Sequence, residues 1–274
     1  MKYKHYLMLR FLPVVLFGFR VFLKYLFRYT EEQNSRMRII KKGYEKGVPT
    51  VDLLNLLPDL NETIHNYTYL DDTSQVTDIV LLKGLAKQFP ACDYLEIGSW
   101  RGESIINIVD YTNSCVSLSL SDEEMRQMGF KEKQIELNRV FIKNHPKITH
   151  IEHNSQTFDF DSLKKKFDMI FVDGDHHFDA VIKDTQNAFN LLKDENSVIV
   201  WHDYGNSYES IRWEIFDAII SGIPPEKRKN LYRVSNTLCA IYTERPLLSM
   251  ITEFPETPNK VFTVNLSAKK LYLF

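Results

Sequence analysis

Two short apolar runs, Met169 to Val172 and Val198 to Trp201, constrain this chain more than any other feature, because each ends in a cluster of aspartate and histidine. The first leads into Asp173, Gly174, Asp175, His176 and His177; the second into His202, Asp203 and Tyr204. Both runs have the length and the β-branched or aromatic content of fully buried strands. The segment between them carries Ala180, Val181, Ala188, Phe189, Leu191 and Leu192 near helical period. Strand, helix and strand make a βαβ unit, whose parallel strands end on one edge of the sheet, and open α/β sheets bind ligands at that edge. The pattern therefore predicts Asp173 and Asp203 side by side at the mouth of a site.

A chain of 274 residues can bury a substantial core and most simply makes one enlarged α/β domain with a terminal extension. Its 34 basic and 36 acidic residues nearly cancel, which gives no support for bulk attraction to nucleic acid. Cys92, Cys115 and Cys239 are too few and too scattered for a disulfide framework or a CxxC zinc site. They point to a reducing, cytoplasmic setting and to burial as small apolar residues.

Residues 1–30 differ from the rest. Tyr6 to Phe27 is rich in Leu, Phe, Val and Tyr but is interrupted by Arg10, Arg20 and Lys24 and weakened as a helix by Pro13 and Gly18. A membrane span needs about 20 residues with few charges, and no small-residue cleavage site follows, as a signal peptide would require. Basic and aromatic residues together fit a helix lying in a membrane interface, which would place the protein at the inner face of the membrane. The same pattern fits a helix packed on the protein's own core or on a second copy in a homodimer. Residues 31–72 read as a connector with a short helix near Val51 to Leu57, residues 73–245 as the main domain, and residues 246–274 as a tail.

Within the main domain, Thr73 and Ser74 precede a run that reads as a capped amphipathic helix. Then come Asp93 to Ile97, Gly98, Ser99, Trp100, Arg101, Gly102, Glu103 and Ser104: a strand, a glycine turn and a helix start in direct succession. Gly98 and Gly102 allow a sharp turn and the close approach of a ligand, and a helix N-terminus offers free N–H groups to an anion. The spacing lacks the third glycine of a dinucleotide fingerprint. Glu96 would repel a pyrophosphate and favour an ammonium or sulfonium group. Val116 to Leu120 reads as the next strand. Asp122 behind it suits either a ribose or the charged first turn of a helix. Gln134 to Lys143 reads as helical and Ile148 to Glu152 as a third strand. Asn154 and Ser155 then serve either a nucleoside or the turn itself. Leu231 to Val234 and Thr237 to Tyr242 read as a closing antiparallel hairpin at the sheet edge.

Leu-Glu-Ile-Gly-Ser at residues 95–99, Asp-Gly-Asp-His at 173–176 and His-Asp-Tyr at 202–204, in this order and at βα spacing, resemble the class I S-adenosylmethionine-dependent methyltransferases. The subgroup they resemble is the small-molecule O-methyltransferases, and the similarity runs from about Thr73 to Thr243. It implies a Rossmann-like, doubly wound sheet of seven mostly parallel strands with an antiparallel edge strand, and S-adenosylmethionine lying over the Glu96 to Ser104 loop. It further implies Glu96, Gly98, Ser99 and Trp100 on the methionine side, Ser104 at the cofactor carboxylate, and Gly102 among the cofactor-binding residues of the loop. Asn154 and Ser155 would lie near the adenosine, with Asp122 as the ribose candidate. In metal-dependent relatives the positions of Asp173 and Asp203 hold a divalent cation and the next residue is Asn; here it is Tyr204.

Two chemistries follow for a methyl acceptor held at this edge. Carboxylates on adjacent strands, about 4.8 Å apart in the sheet direction, could share Mg²⁺ and lower the pKa of a substrate hydroxyl. Alternatively His176, with His202 second, acts as general base. The bland reading makes Asp173 and Asp175 helix caps and His176 and His177 surface residues of a first turn. The acceptor implied is a small molecule, a sugar or a lipid-linked compound. Rival functions are an NAD-dependent oxidoreductase on the same architecture and a membrane-associated binding or scaffold protein without turnover.

Overall fold

The structure is a computed structural model that describes residues 19, 21–23, 26 and 29–271. It divides between Glu45 and Lys46 into two compact units. In the first, residues 29–41 are helical, and Gly43, at φ +90°, lets the chain leave the helix while its N–H donates to the Ile40 carbonyl. The apolar and basic helix expected over residues 1–30 lies almost wholly outside the described residues. Among the described residues no helix is long and apolar enough to cross a membrane.

The second unit contains, in order, β1 (Thr50–Val51), α1 (Leu53–Leu56), α2 (Val76–Ala86), β2 (Cys92–Ile97), α3 (Glu103–Ile108), β3 (Thr112–Ser119), α4 (Asp122–Gln127), α5 (Glu132–Leu137), β4 (Ile148–Glu152) and β5 (Met169–Val172). There follow α6 (Phe178–Asn190), β6 (Val198–Trp201), β7 (Gly205–Ser207), β8 (Ser210–Ile211), α7 (Trp213–Gly222), β9 (Leu231–Val234), β10 (Ala240–Tyr242) and β11 (Ser249–Met250). One sheet has the order β11-β1-β9-β10-β6-β5-β2-β3-β4, and β7 and β8 form a separate hairpin.

From β4 to β6 every neighbouring pair is parallel. All residues of β2, β5 and β6 are buried, as continuous apolar runs must be when helices cover both faces of a sheet. The expected seven strands are present, with two additions. Antiparallel β10 does not close the edge: it lies between β6 and β9, and the short strand β1 pairs parallel with β9 and antiparallel with β11. The sequence hid this extension because a two-residue strand carries no periodicity to detect.

Two helices differ from their sequence patterns. Helix α2 is not amphipathic: Asp78 through Ala86 are all buried. Its cap is Gln75, whose N–H donates to the Asp78 carboxylate at 2.8 Å, and not Thr73 or Ser74. The helix expected over 134–143 ends at Leu137, because Arg139 adopts a left-handed φ of +59° that a helix cannot accommodate. Helix α6 follows its pattern and is pinned to the sheet by the Trp201 indole, which donates to Thr185 Oγ at 2.9 Å. The three cysteines are free and buried, as expected.

Candidate active site

Parallel register brings the loops after β2, β5 and β6 together. Ile97 faces Val172 and Val172 faces Trp201, and the ladder continues as Asp173 N–H to Ile97 O (2.8 Å) and His202 N–H to Val172 O (3.1 Å). Gly98, Asp173 and His202 therefore leave the sheet as neighbours. Gly98 has φ +100°, and a Cβ built on it would stand 2.2 Å from the Asp173 carbonyl oxygen and 2.4 Å from Gly174 Cα. The missing side chain thus makes room for the next loop of the protein itself; the expected approach of a ligand at this atom is not what the glycine serves. Gly102, at φ +88°, is likewise packed, here against Ile142.

Glu96 also differs from expectation. It is 1% exposed, and its oxygens accept from the Tyr94 hydroxyl (2.7 Å), the Ser99 hydroxyl (2.8 Å) and the Ser104 hydroxyl (2.9 Å to each oxygen). Ser99 in turn accepts from Ser117 on β3 at 2.9 Å. Burial outweighs these three donors and raises the Glu96 pKa to about 7. Glu96, Ser99 and Ser104 therefore knit the glycine loop to the sheet and do not face a cation. At the start of α3, Glu103 accepts from Thr68 N–H (2.8 Å), Thr68 Oγ (2.6 Å) and Thr73 Oγ (2.9 Å), and pairs with Arg101 at 3.0 Å. An anion at this helix end would meet a carboxylate held in place by the 62–75 segment, so the N-terminus is not the open anion site the sequence suggested.

Asp122, the ribose candidate, begins α4 and pairs at 3.2 Å with Arg139, which also reaches Glu152 at 3.1 Å. Asn154 shapes a turn, its Oδ1 accepting from Gln156 N–H, and Ser155 donates to the buried Asp184 at 3.2 Å. Burial raises Asp184 to a pKa of about 7. Asn154 thus serves its own turn, and Ser155 ties the turn to α6. Three buried polar atoms along the same edge have no partner, however: Trp100 Nε1 after β2, Ser119 Oγ at the end of β3, and Arg139 Nη1. Arg139 N–H donates to the Trp100 carbonyl at 2.7 Å, which joins the two segments.

At the ends of β5 and β6 the expected acids and histidines do meet. His176 Nε2 is 2.8 Å from Asp203 Oδ2 and 3.9 Å from Asp173 Oδ1. His202 Nδ1 is 3.1 Å from one oxygen each of Asp173 and Asp203, and its Nε2 is 3.1 Å from Asp78 Oδ2. Arg212 Nη1 donates to Asp203 Oδ2 at 2.6 Å. The hydrogen bond to Asp203 raises the pKa of His176, and its side chain, 44% exposed, is the accessible end of the cluster. His202, 10% exposed, is buried at a cost to its charged form, yet Asp173 and Asp78 raise it well above the usual imidazole range. Burial opposes ionisation of Asp203, but His176, His202 and Arg212 hold it at about 2. Asp203 has φ +58°, a conformation that Asp tolerates better than most residues and one that marks a locally constrained site.

Sequence reasoning missed two members of this cluster. Asp78 sits inside the run that reads as an amphipathic helix, where one polar residue draws no notice, and Arg212 stands as the cap residue immediately before α7 with no motif around it. Only their tertiary placement reveals them. The remaining neighbours are structural: Asp175 Oδ1 accepts from His177 N–H at 3.0 Å, while the His177 side chain is 89% exposed. Tyr204, where metal-dependent relatives carry Asn, is 1% exposed; its hydroxyl accepts from Val48 N–H and its ring packs on Phe216.

The donor set does not fit the divalent cation expected at Asp173 and Asp203. A hard cation needs several oxygen donors with lone pairs to give, and here Asp203 is engaged by Arg212, His176 and His202, and Asp173 by His202. Among the described residues no group of three or more His, Cys, Asp or Glu side chains is arranged to hold a metal ion.

Residues 95–204 match the family described as a methyltransferase domain. This segment is similar to that domain. It spans the glycine loop, both strand-end clusters and His176, whereas Asp78 and Arg212 lie outside it. No curated protein matches the chain. Among solved structures, the chain is similar to an O-methyltransferase from Bacillus cereus in complex with SAH, at 15% identity over 69% of this chain and 87% of that one, TM-score 0.42. It is also similar to the O-methyltransferase TomG from Streptomyces achromogenes in complex with SAM, at 15% identity over 73% and 90%, TM-score 0.45.

Proposed function

We propose that this chain is an S-adenosylmethionine-dependent O-methyltransferase whose small-molecule acceptor presents a hydroxyl to His176. The observation that carries the reading is the His176–Asp203 pair, standing accessible at the sheet edge of a methyltransferase domain. The edge fits a nucleoside cofactor in one respect: Trp100 Nε1, Ser119 Oγ and Arg139 Nη1 are buried without partners, and buried polar atoms call for one. These three, with the Gly98 to Gly102 loop and Asp122, would hold it. When bound, the cofactor supplies an electrophilic methyl group on a sulfonium.

The chain's own residues supply position and a proton acceptor. His176 takes the proton of the acceptor hydroxyl at Nδ1, since its Nε2 is held by Asp203 at 2.8 Å. Asp203 holds the ring for that task and stabilises the imidazolium that results. Arg212 and His202 fix Asp203 by its two oxygens, so the carboxylate is held in one orientation before the acceptor arrives. Because little bond chemistry is asked of the protein, such positioning is its main contribution. The matched family favours methyl transfer over the NAD-linked reading.

The test is calorimetric titration of the protein with S-adenosylmethionine and with NAD, followed by label transfer from the methyl group to a panel of hydroxylated acceptors, free and lipid-linked. His176→Ala should bind S-adenosylmethionine as the parent does and transfer label about 10²- to 10⁴-fold more slowly. Saturable binding of NAD instead, or undiminished transfer by His176→Ala, would refute the assignment. Substitutions at Gly98 are unsuitable for this purpose, since any side chain there strikes the Asp173 backbone.

A further inference from the structure

Three carboxylates, Asp78, Asp173 and Asp203, converge on one imidazole, and the bonding determines its charge. Asp78 accepts through both oxygens: Oδ1 from Leu238 N–H at 2.8 Å and Oδ2 from Gln75 N–H at 2.8 Å and from His202 Nε2 at 3.1 Å. Both of its oxygens are thus engaged as acceptors. Asp203 accepts from Arg212, and its Oδ1 and Asp173 Oδ1 both lie 3.1 Å from His202 Nδ1. An ionised carboxylate only accepts, so both ring nitrogens must be N–H donors and the ring is an imidazolium. His202 and Arg212 therefore place two fixed positive charges against the Asp173–Asp203 pair. Partly buried carboxylates this close call for compensation by a cation, or they lose charge. In this chain the compensation is covalently attached. Asp78, which holds the imidazolium from behind, is 0% exposed and comes from α2, outside the segment that matches the family.

We propose that the His202 imidazolium, positioned by Asp78, and the Arg212 guanidinium are the resident cations of this site, and that they exclude a divalent metal ion from Asp173 and Asp203. The inference rests on the methyltransferase reading for the role of the acid pair, but its test contains neither cofactor nor acceptor. Mn²⁺ is titrated into the full-length protein at neutral pH and bound ion is read by electron paramagnetic resonance. The parent should bind no ion that depends on Asp203. The double variant His202→Gln with Arg212→Met, checked for folding by circular dichroism, should gain a site at least about tenfold tighter than any in the parent, as expected when two charges near contact distance are removed. Adding Asp203→Asn should abolish that gain.

Stoichiometric Mn²⁺ binding by the parent that Asp203→Asn removes would overturn the proposal. So would a folded double variant that gains nothing, since the two cations would then not be what keeps the ion out. Should the double variant not fold, the parent and its Asp203→Asn form still decide the matter, because binding that survives Asp203→Asn lies elsewhere and leaves the proposal standing.

Discussion

Replacing Glu96 by Gln tests whether the carboxyl at the heart of the glycine loop is held by burial. Glu96 is 1% exposed and its pKa is raised from 4.5 to about 7 by burial, against the hydrogen bonds of Tyr94, Ser99 and Ser104. Below about pH 4.5 the folded and the unfolded chain both carry the proton. Between 4.5 and about 7 the unfolded chain ionises while the folded chain keeps its proton, so stability falls as pH rises. Each pKa unit is worth about 1.4 kcal/mol, so this one group removes about 3 kcal/mol of stability by the top of that window. Glutamine has the shape of the protonated acid, can bond to the same three hydroxyls and does not titrate. Urea unfolding followed by tryptophan fluorescence at several pH values from about 4 to 8 should show Glu96→Gln and parent nearly equal at the acid end. The variant should then become progressively more stable, by about 3 kcal/mol at pH 8. Other groups with raised pKa, Asp184, His176 and His202 among them, cancel in the difference. A difference that stays flat across this range, or that grows toward acid pH, would refute the reasoning.

Gly98→Ala should destabilise by more than about 3 kcal/mol, because a left-handed φ and a backbone clash act together, whereas Gly129→Ala, at φ +84° in open space, should cost only about 1 to 2 kcal/mol; urea midpoints decide between them. Methyl transfer should rise with pH and level off above the raised pKa of His176, since only the neutral ring accepts a proton, and Asp203→Asn should move the midpoint down toward 6.5 while lowering the plateau. An unmoved midpoint in the pH–rate profile would show that another group is the base. His176→Ala should cut transfer by about 10²- to 10⁴-fold with unchanged S-adenosylmethionine affinity by calorimetry. Trp201→Phe should cost about 1 kcal/mol or more of stability in urea unfolding, having lost the buried bond to Thr185 and left its hydroxyl without a partner.

What the sequence by itself determined is the parallel sheet and the meeting of its two acidic strand ends. Runs such as Met169–Val172 and Val198–Trp201 are too apolar to lie anywhere but between two layers of helix, and right-handed βαβ crossovers then leave no choice about which edge Asp173 and Asp203 share. Only the tertiary structure decided what those acids do. Asp78 reaches His202 between them from 124 positions away in the chain, and Arg212 reaches Asp203 from 9; no local pattern foretells which side chain will fill a space between strands. The same holds for Glu96 and Gly98: composition at a turn tells that the backbone must bend or come close, but whether a ligand or the neighbouring loop occupies that closeness depends on packing between segments far apart in sequence. Charge compensation is a property of the assembled neighbourhood, where burial makes each unpaired group costly, and so it becomes legible only once the neighbours are in place.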